Sequence, residues 1–147
     1  MKTSICILFA VTCLVVATAE DSQTVLTLNK VMFELKKIKE WSKGQDNNTP
    51  IHSPTVNDIE DCCIASALEC FQSKWIEFPV NDKLKKSQIT IKRNLGKTFI
   101  VKSVSSCSPE ETKKAKCKTC DSYPLVHRHK FLENFHTLLQ KIFVRLQ

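Results

Sequence analysis

The sequence predicts an all-α protein, a four-helix bundle with long crossovers and disulfide staples. Only two glycines occur among its 147 residues, whereas sandwiches and barrels need many tight turns. Four segments repeat apolar residues at three- and four-residue steps, which is the spacing of one face of an α-helix. Long connections between these segments favour an up-up-down-down order of helices around one core.

The first 19 residues have the composition of a secretory signal peptide. Lys2 precedes an apolar run over residues 5–16, and small residues lie just before Glu20. We expect cleavage after Ala19, which leaves a secreted, extracellular domain of residues 20–147. A membrane anchor is the alternative, but the run is shorter than the roughly 20 residues that span a bilayer.

The chain is basic, with 22 lysines and arginines, 15 acidic residues and a net charge of +7. Such a charge suits acidic partners, for example a receptor surface or sulfated glycans. No zinc-finger spacing or aromatic-interleaved basic motif indicates binding to nucleic acid. No nucleophile–base pattern, paired-carboxylate motif or phosphate loop indicates an enzyme. We therefore expect a monomer without a cofactor, metal, nucleic acid or membrane insertion.

The first predicted helix spans residues 22–41, and Asp21 or Ser22 can cap it. Its apolar stripe consists of Leu28, Val31, Met32, Leu35 and Ile38. The loop over residues 45–56 contains an Asn-Asn-Thr sequon, so we expect N-glycosylation at Asn47 in a secreted chain.

The second predicted helix spans residues 57–78. Asn57 or Asp58 can cap its start, and Pro79 ends it because the residue before a proline is disfavoured in the α-conformation. Its apolar stripe consists of Ile64, Ala67, Leu68, Phe71 and Trp75.

The third predicted helix, over residues 82–97, has the weakest pattern. Leu84, Ile91 and Leu95 keep helical spacing, but Gln88 interrupts the stripe, and residues 89–91 would also fit a strand.

A long crossover over residues 98–125 follows, and the fourth helix spans residues 130–146. The crossover has a lysine cluster and three cysteines, which would tether so long a loop. The apolar stripe of the last helix consists of Phe131, Leu132, Phe135, Leu138, Leu139, Ile142 and Leu146.

Six cysteines remain after cleavage, and an even count in a small secreted domain predicts a disulfide framework with 15 possible connectivities. Cys63 and Cys70 lie about 10.5 Å apart along a helix, too far to bond each other. Cys117 and Cys120 span about 10 Å of extended chain. The matching spacings predict that the two pairs are stapled in parallel, which rivets the crossover along the second helix.

The Cys117-x-x-Cys120 spacing also occurs in redox and zinc motifs. A thioredoxin-like motif would need a βαβ context, which this chain lacks. Zinc would need two further ligands, for which His127 and His129 are the candidates. We expect neither chemistry here.

Three strings of residues resemble a known family. They are Cys63-(six residues)-Cys70-Phe-Gln, then Cys117-Lys-Thr-Cys-Asp-Ser-Tyr, and finally Phe131-Leu-Glu-Asn-Phe with Leu138-Leu-Gln-Lys. Together they resemble the interleukin-15/interleukin-21 family of short-chain four-helix cytokines. The resemblance is specific over residues 61–72 and 117–146, and the first helix fits it more loosely.

This resemblance implies a secreted cytokine with two receptor partners. One is a private receptor chain of the interleukin-21 type, and the other is the shared cytokine-receptor gamma chain. Their JAK kinases would be brought together, and STAT phosphorylation in lymphocytes would follow. The resemblance also implies two disulfides, Cys63–Cys117 and Cys70–Cys120. Cys62 and Cys107 have no counterpart in that pattern, and by elimination we expect them to form a third bond.

The resemblance also implies two binding surfaces. Contacts with the gamma chain would come from Gln140, Phe143 and Val144 of the last helix. Contacts with the private receptor would come from basic groups of the first and third helices, namely Lys30, Lys37, Lys92, Arg93 and Lys97. The first helix departs from the family upstream, where Thr24 and Thr27 stand in place of arginines.

A cationic, disulfide-stabilised defence protein that acts on microbial membranes is the alternative function. The net charge, the secretion signal and the amphipathic helices would suit it. However, the apolar faces of the helices are needed for one core, and the cationic residues are scattered along the chain. Salt-sensitive leakage of vesicles would favour this alternative, and binding to a receptor ectodomain would favour the cytokine.

Overall fold

The computed structural model describes residues 2–45 and 49–147, with side chains from residue 22 onward. This part of the chain is 70% helical and all-α in class, with one minimal pair of strands. Its helices are α1 (Lys2–Ser42), α2 (Ile64–Trp75), α3 (Lys85–Leu95), α4 (Thr98–Ser103), α5 (Pro109–Lys114) and α6 (Arg128–Arg145). Its strands are β1 (Ile51–His52) and β2 (Leu125–Val126).

Helix α1 ends within one residue of its predicted end but begins much earlier, at Lys2. It runs through Asp21 and Ser22, so neither residue caps it. The expected cleavage point after Ala19 lies within this helix and stays a prediction. Among the described residues, no helix combines the length and the apolar character needed to cross a bilayer. The expected glycosylation site Asn47 lies outside the described residues.

Helix α2 begins seven residues later than predicted. Two 3-10 turns, Val56–Asp58 and Asp61–Cys63, precede it, and the predicted caps at Asn57 and Asp58 are wrong. A continuous helix would turn Ile59 about 130° away from the apolar stripe of α2. The extended backbone at Ile59 instead allows its side chain to be buried in the core.

The end of α2 is set by a side chain of α3. Gln88 Nε2 donates hydrogen bonds to the carbonyl oxygens of Trp75 (3.0 Å) and Phe78 (2.7 Å), and Trp75 Nε1 donates to the Gln88 carbonyl (3.1 Å). The Trp75 carbonyl also accepts from the Phe78 N–H at 3.1 Å, so Gln88 adds a second bond there and pairs the Phe78 carbonyl beyond the helix end. Gln88, which interrupts the apolar stripe in the sequence, is therefore a capping residue for the neighbouring helix.

The weak third segment is helical and not a strand. It begins with a 3-10 turn, Asp82–Leu84, in which the Asn81 side chain accepts a hydrogen bond from the Leu84 N–H at 3.0 Å. Helix α3 follows and buries Ile91 and Leu95.

The crossover contains two short helices that were not predicted. Helix α4 buries Ile100 against the core. Helix α5 begins with a capping box, in which Ser108 and Glu111 exchange side-chain and backbone hydrogen bonds. The Ser-Pro-Glu-Glu string is a legible helix start, so α5 could have been recognised from the sequence.

Strands β1 and β2 pair antiparallel, with Ile51 opposite Val126 and His52 opposite Leu125. The Ser53 N–H continues the ladder to the Pro124 carbonyl at 3.1 Å. This short ribbon ties the connection after α1 to the start of α6.

Helix α1 packs against α6 and α3, and it is antiparallel to both. Ser42, at the end of α1, contacts His129 near the start of α6 (Oγ to Nδ1, 3.2 Å). Ser87, near the start of α3, contacts Glu34, whereas Ser103, beyond the end of α3, lies beside Thr24.

Helix α2 packs on the other sides of α3 and α6. Phe71 lies between Phe131 and Phe135, with ring-centre distances of 5.2 and 4.9 Å, and Phe78 faces Phe131 across 5.8 Å. One continuous apolar core joins α1, α2, α3, α4 and α6. The predicted stripes of α1, α2 and α6 all contribute to it, with Met32 and Leu146 at its margin.

Candidate functional site

Three disulfides hold the crossover against α2. The bonds are Cys62–Cys107, Cys63–Cys117 and Cys70–Cys120, with Cα–Cα distances of 5.4, 5.4 and 5.2 Å. The chain from Cys117 to Thr119 has no regular secondary structure, and Cys120 begins a 3-10 turn. Cys70–Cys120 therefore fastens this strip to α2, whereas Cys63–Cys117 and Cys62–Cys107 fasten the crossover to the 3-10 turn that precedes α2.

These bonds also bear on the metal and redox alternatives. Cys117 and Cys120 bond to other cysteines and not to each other, so they offer no thiolate to zinc. His129 contacts Ser42 and Glu133, whose Oε1 lies 3.2 Å from its Nε2. Among the described residues, Cys62, Cys107 and Glu111 lie within metal-ligand distance, but the two cysteines are disulfide-bonded.

An open groove lies between α1 and α6, and the three residues that the sequence resemblance predicts to contact the gamma chain line it. Gln140 is exposed, Phe143 is half-buried against the core, and Val144 is 68% exposed. Helix α1 supplies the opposite wall with Asn29, Met32, Phe33 and Lys36, and His136 of α6 completes the lining. The groove therefore combines exposed apolar groups with a central amide, which suits a protein-binding hot spot.

Phe33 is the most exposed aromatic residue of this surface, at 62%. The Lys37 ammonium lies 4.7 Å from the centre of its ring, within the range of a cation–π contact. Leu26, at 69% exposure, lies two helical turns before Phe33 on the same face of α1. This apolar pair lies off the core stripe, which was the available sequence signal, and neither residue was predicted to belong to the site.

His136 lies in the groove beside two cations. Desolvation lowers the pKa of its imidazole, and the positive charges of Lys39 and Lys36 lower it further. The imidazole is therefore neutral at physiological pH, because its pKa already starts at 6.5 and moves down.

A polar contact between α1 and α3 positions Lys37 on the outer face of α1. Ser87 Oγ donates to Glu34 Oε2 at 2.6 Å, and Lys37 Nζ lies 3.3 Å from the same oxygen. The hydrogen bond from Ser87 is the main cause that holds the pKa of Glu34 below its ordinary value, and desolvation opposes it. Lys37 is thus held between Glu34 and the ring of Phe33, one turn from each.

The five basic residues assigned to the private receptor are all exposed, but they do not form one patch. Lys30 and Lys37 share the outer face of α1 with Phe33. Lys92 instead lines a shallow groove on the α2 side of α3, together with Glu69 and Ile76.

The remaining two residues of this set lie near the end of α3. Arg93 is exposed in its last turn, about 100° around the helix from Lys92. Lys97 follows that end, with its ammonium 5.8 Å from the centre of the Phe99 ring. The α1 pair is therefore the part of this set that is continuous with the α1–α6 groove.

These surfaces carry exposed apolar side chains and positive charges, most of them on α1, α3 and α6. The chain matches no protein-family model and no curated protein sequence.

Proposed function

We propose that this chain is a secreted cytokine of the interleukin-15/interleukin-21 family, of the interleukin-21 type. It bridges a private receptor chain and the shared cytokine-receptor gamma chain, and thereby triggers JAK/STAT signalling in lymphocytes. The α1–α6 groove carries this proposal, because the three α6 residues suggested by sequence resemblance line one exposed, partly apolar surface. The three disulfides fit an extracellular protein.

We further propose that the four long helices form a short-chain bundle in up-up-down-down order. Each of α1 and α2 packs against α3 and α6, and the contacts of α1 with both partners and of α2 with α3 run in opposite chain directions. Two helices antiparallel to the same partner point the same way, which supports an order of α1 and α2 up, then α3 and α6 down.

Two surfaces of α1 would allow two receptor chains to bind at once. The gamma chain would occupy the α1–α6 groove, and the private receptor would contact the outer face of α1 with Lys30 and Lys37. Phe33 lies between these surfaces. The positive charge of the outer face would attract an acidic receptor and accelerate association.

The test measures binding to the two receptor ectodomains, separately and together, and STAT phosphorylation in responding cells. The variant Gln140→Asp with Phe143→Asp should keep binding to the private receptor and lose signalling. Loss of an aromatic hot spot and burial of two new carboxylates should weaken gamma-chain binding by more than about 2 kcal/mol, or roughly thirtyfold. Unchanged STAT activation in this variant would refute the assignment.

A charge-matched control separates the groove from a general effect of charge. Thr137→Asp with Lys141→Gln also lowers the net charge by two, and both positions are exposed on α6 outside the groove. We expect this control to signal normally. Because Phe143 is half-buried, Gln140→Asp with Val144→Asp provides a second groove variant that spares the core. Failure of wild-type protein to bind either ectodomain, with salt-sensitive leakage of anionic vesicles, would support the defence-protein alternative.

A further inference from the structure

Four exposed lysines lie within a stretch of six residues in the crossover. This crossover lysine cluster consists of Lys113, Lys114, Lys116 and Lys118. Asp121, just after the cluster, pairs with Lys74 at 3.4 Å, but none of the four lysines forms an ion pair with a carboxylate in the described part of the chain. The cluster therefore presents its charge to solvent and to partners.

The disulfides hold this cluster rigidly. Cys107 precedes it, Cys117 lies within it and Cys120 follows it, and each is bonded to α2 or to the turn before α2. Lys118 is further restrained, because its ammonium lies 5.9 Å from the centre of the Tyr123 ring. A polyanion that binds here would lose little chain entropy of the protein, since the segment is already ordered.

Lys116 has a backbone conformation that a lysine rarely adopts. Its φ is 50°, and it is the only residue other than glycine with positive φ in the part of the chain that the structure describes. It lies two residues after the end of α5, where glycine is the usual residue because a Cβ costs about 1 kcal/mol or more. The attraction between a cation and the end of a six-residue helix offsets only part of this cost. Lys116 therefore places a positive charge at a position where its backbone conformation is strained and glycine would fit better.

Among the described residues, nearby carboxylates, including the exposed Glu110 of α5, form no ion pair with the cluster. Glu111 is engaged in the capping box of α5, and Asp121 is paired with Lys74. Asp58 and Glu60 line the small cavity beside the cluster, yet neither is within ion-pair distance of a lysine.

We propose that the crossover lysine cluster binds the sulfate groups of a sulfated glycosaminoglycan. Lysine ammoniums are compact point charges that suit sulfate, and closely spaced lysines suit a linear polyanion. Although Val101 and Leu125 of the crossover are exposed, the described segment from residue 105 to 124 between them exposes no large apolar side chain that would insert into a membrane. It also lacks an exposed aromatic platform on which nucleic-acid bases could stack, because Tyr123, its one aromatic residue, is buried.

The cluster shares no residue with the α1–α6 groove. Helix α5 packs on the 3-10 turn before α2, whereas the groove is built by α1 and α6. A glycan chain could therefore retain the protein at a cell surface while the groove stays available. This inference is independent of the receptor assignment, because glycan binding is measured without any receptor.

The first experiment measures binding of a heparin octasaccharide to the purified, disulfide-bonded protein at several salt concentrations. A triple variant replaces Lys113, Lys114 and Lys118 with Gln. The matched control replaces Lys83, Lys85 and Lys86 with Gln, because these lysines are equally exposed and closely spaced but are not held by disulfides. We expect the crossover variant to lose more than about tenfold in affinity and to reduce the salt slope by about two to three, as counterion release requires. We expect the control to change affinity less than about threefold, as for loss of net charge alone.

A second variant, Lys116→Gly, separates binding from stability. Glycine relieves the positive φ, so the melting temperature should stay the same or rise while heparin affinity falls several-fold. Three results would overturn the proposal: equal losses from both triple variants, unchanged heparin binding by Lys116→Gly, and equal affinity for desulfated heparin. Equal affinity for anionic phospholipid vesicles, lost in the same variants, would assign the cluster to a lipid surface and overturn it as well.

Discussion

Removal of the Cys62–Cys107 disulfide tests how much this bond adds to the free energy of unfolding when the other two disulfides are present. The bond has a sequence separation of 45, and a loop of that length taken alone corresponds to about 4 kcal/mol of denatured-state entropy. However, Cys63–Cys117 already joins neighbouring points of the chain. With that bond in place, Cys62–Cys107 closes a further ring of only about a dozen residues, which corresponds to about 3 kcal/mol. We therefore expect Cys62→Ser with Cys107→Ser to lower the free energy of unfolding by about 3 kcal/mol and to leave the fold intact.

Urea unfolding followed by far-UV circular dichroism, without reductant, measures this change. The slope of the free energy against urea should rise slightly, because the less cross-linked unfolded chain exposes more surface. A loss below about 1 kcal/mol would refute the entropic reasoning. A loss well above 4 kcal/mol would show that the two bonds do not share the closure of one loop.

Removal of Cys70–Cys120 provides the internal comparison. The ring that this bond closes through Cys63–Cys117 is also about a dozen residues long, so its entropic contribution is again about 3 kcal/mol. Cys70 is buried, whereas Cys62 and Cys107 are both half-exposed. The Cys70→Ser with Cys120→Ser variant should therefore lose more stability than Cys62→Ser with Cys107→Ser, because it also places a hydroxyl in the core. The reverse order would contradict this account.

Two further predictions concern the core and the contact between α1 and α3. Phe71→Ala should lower the free energy of unfolding by about 3–5 kcal/mol in urea titrations, because the fully buried ring of Phe71 stacks on Phe135 at 4.9 Å; a loss below 2 kcal/mol would mean that the core collapses around the gap. Ser87→Ala should cost about 1.5–3 kcal/mol at pH 7, because the Glu34 carboxylate loses its 2.6 Å donor. Since the pKa of Glu34 is lowered in the fold, this stabilisation is present above pH 4.5 and is lost as pH falls through the folded pKa. Unfolding at pH 7 and pH 3 should therefore show a smaller acid-induced loss in Ser87→Ala than in wild type, and equal losses would contradict the role of this hydrogen bond.

The helices could be predicted where apolar spacing was strong, and their ends could not. The stripes of α1, α2 and α6 are in the core because a repeat of three and four residues leaves one apolar face that water disfavours. The predicted start of α2 was wrong because burial of Ile59 requires a break in the helix, and no local sequence signal indicates that break. The end of α2 depends on Gln88, which is more than ten residues away in the chain.

The candidate surfaces could also be predicted only in part from the sequence. Gln140, Phe143 and Val144 could be placed on one helix from their spacing. Phe33 could not be assigned to the same groove, because its position relative to α6 depends on how α1 and α6 pack. Lys92 and Arg93 are neighbours in sequence, yet only Lys92 lines the groove on the α2 side of α3.

By itself, the sequence determined which faces of the helices are apolar, where the cysteines lie and how much positive charge the crossover has. These properties follow from local spacing and composition, because one turn of a helix has the same geometry in every protein. Only the tertiary structure decided which faces meet, which carbonyls Gln88 caps, and that Phe33 shares a surface with α6. Those outcomes depend on the antiparallel register and rotation of packed helices, which the whole core determines at once.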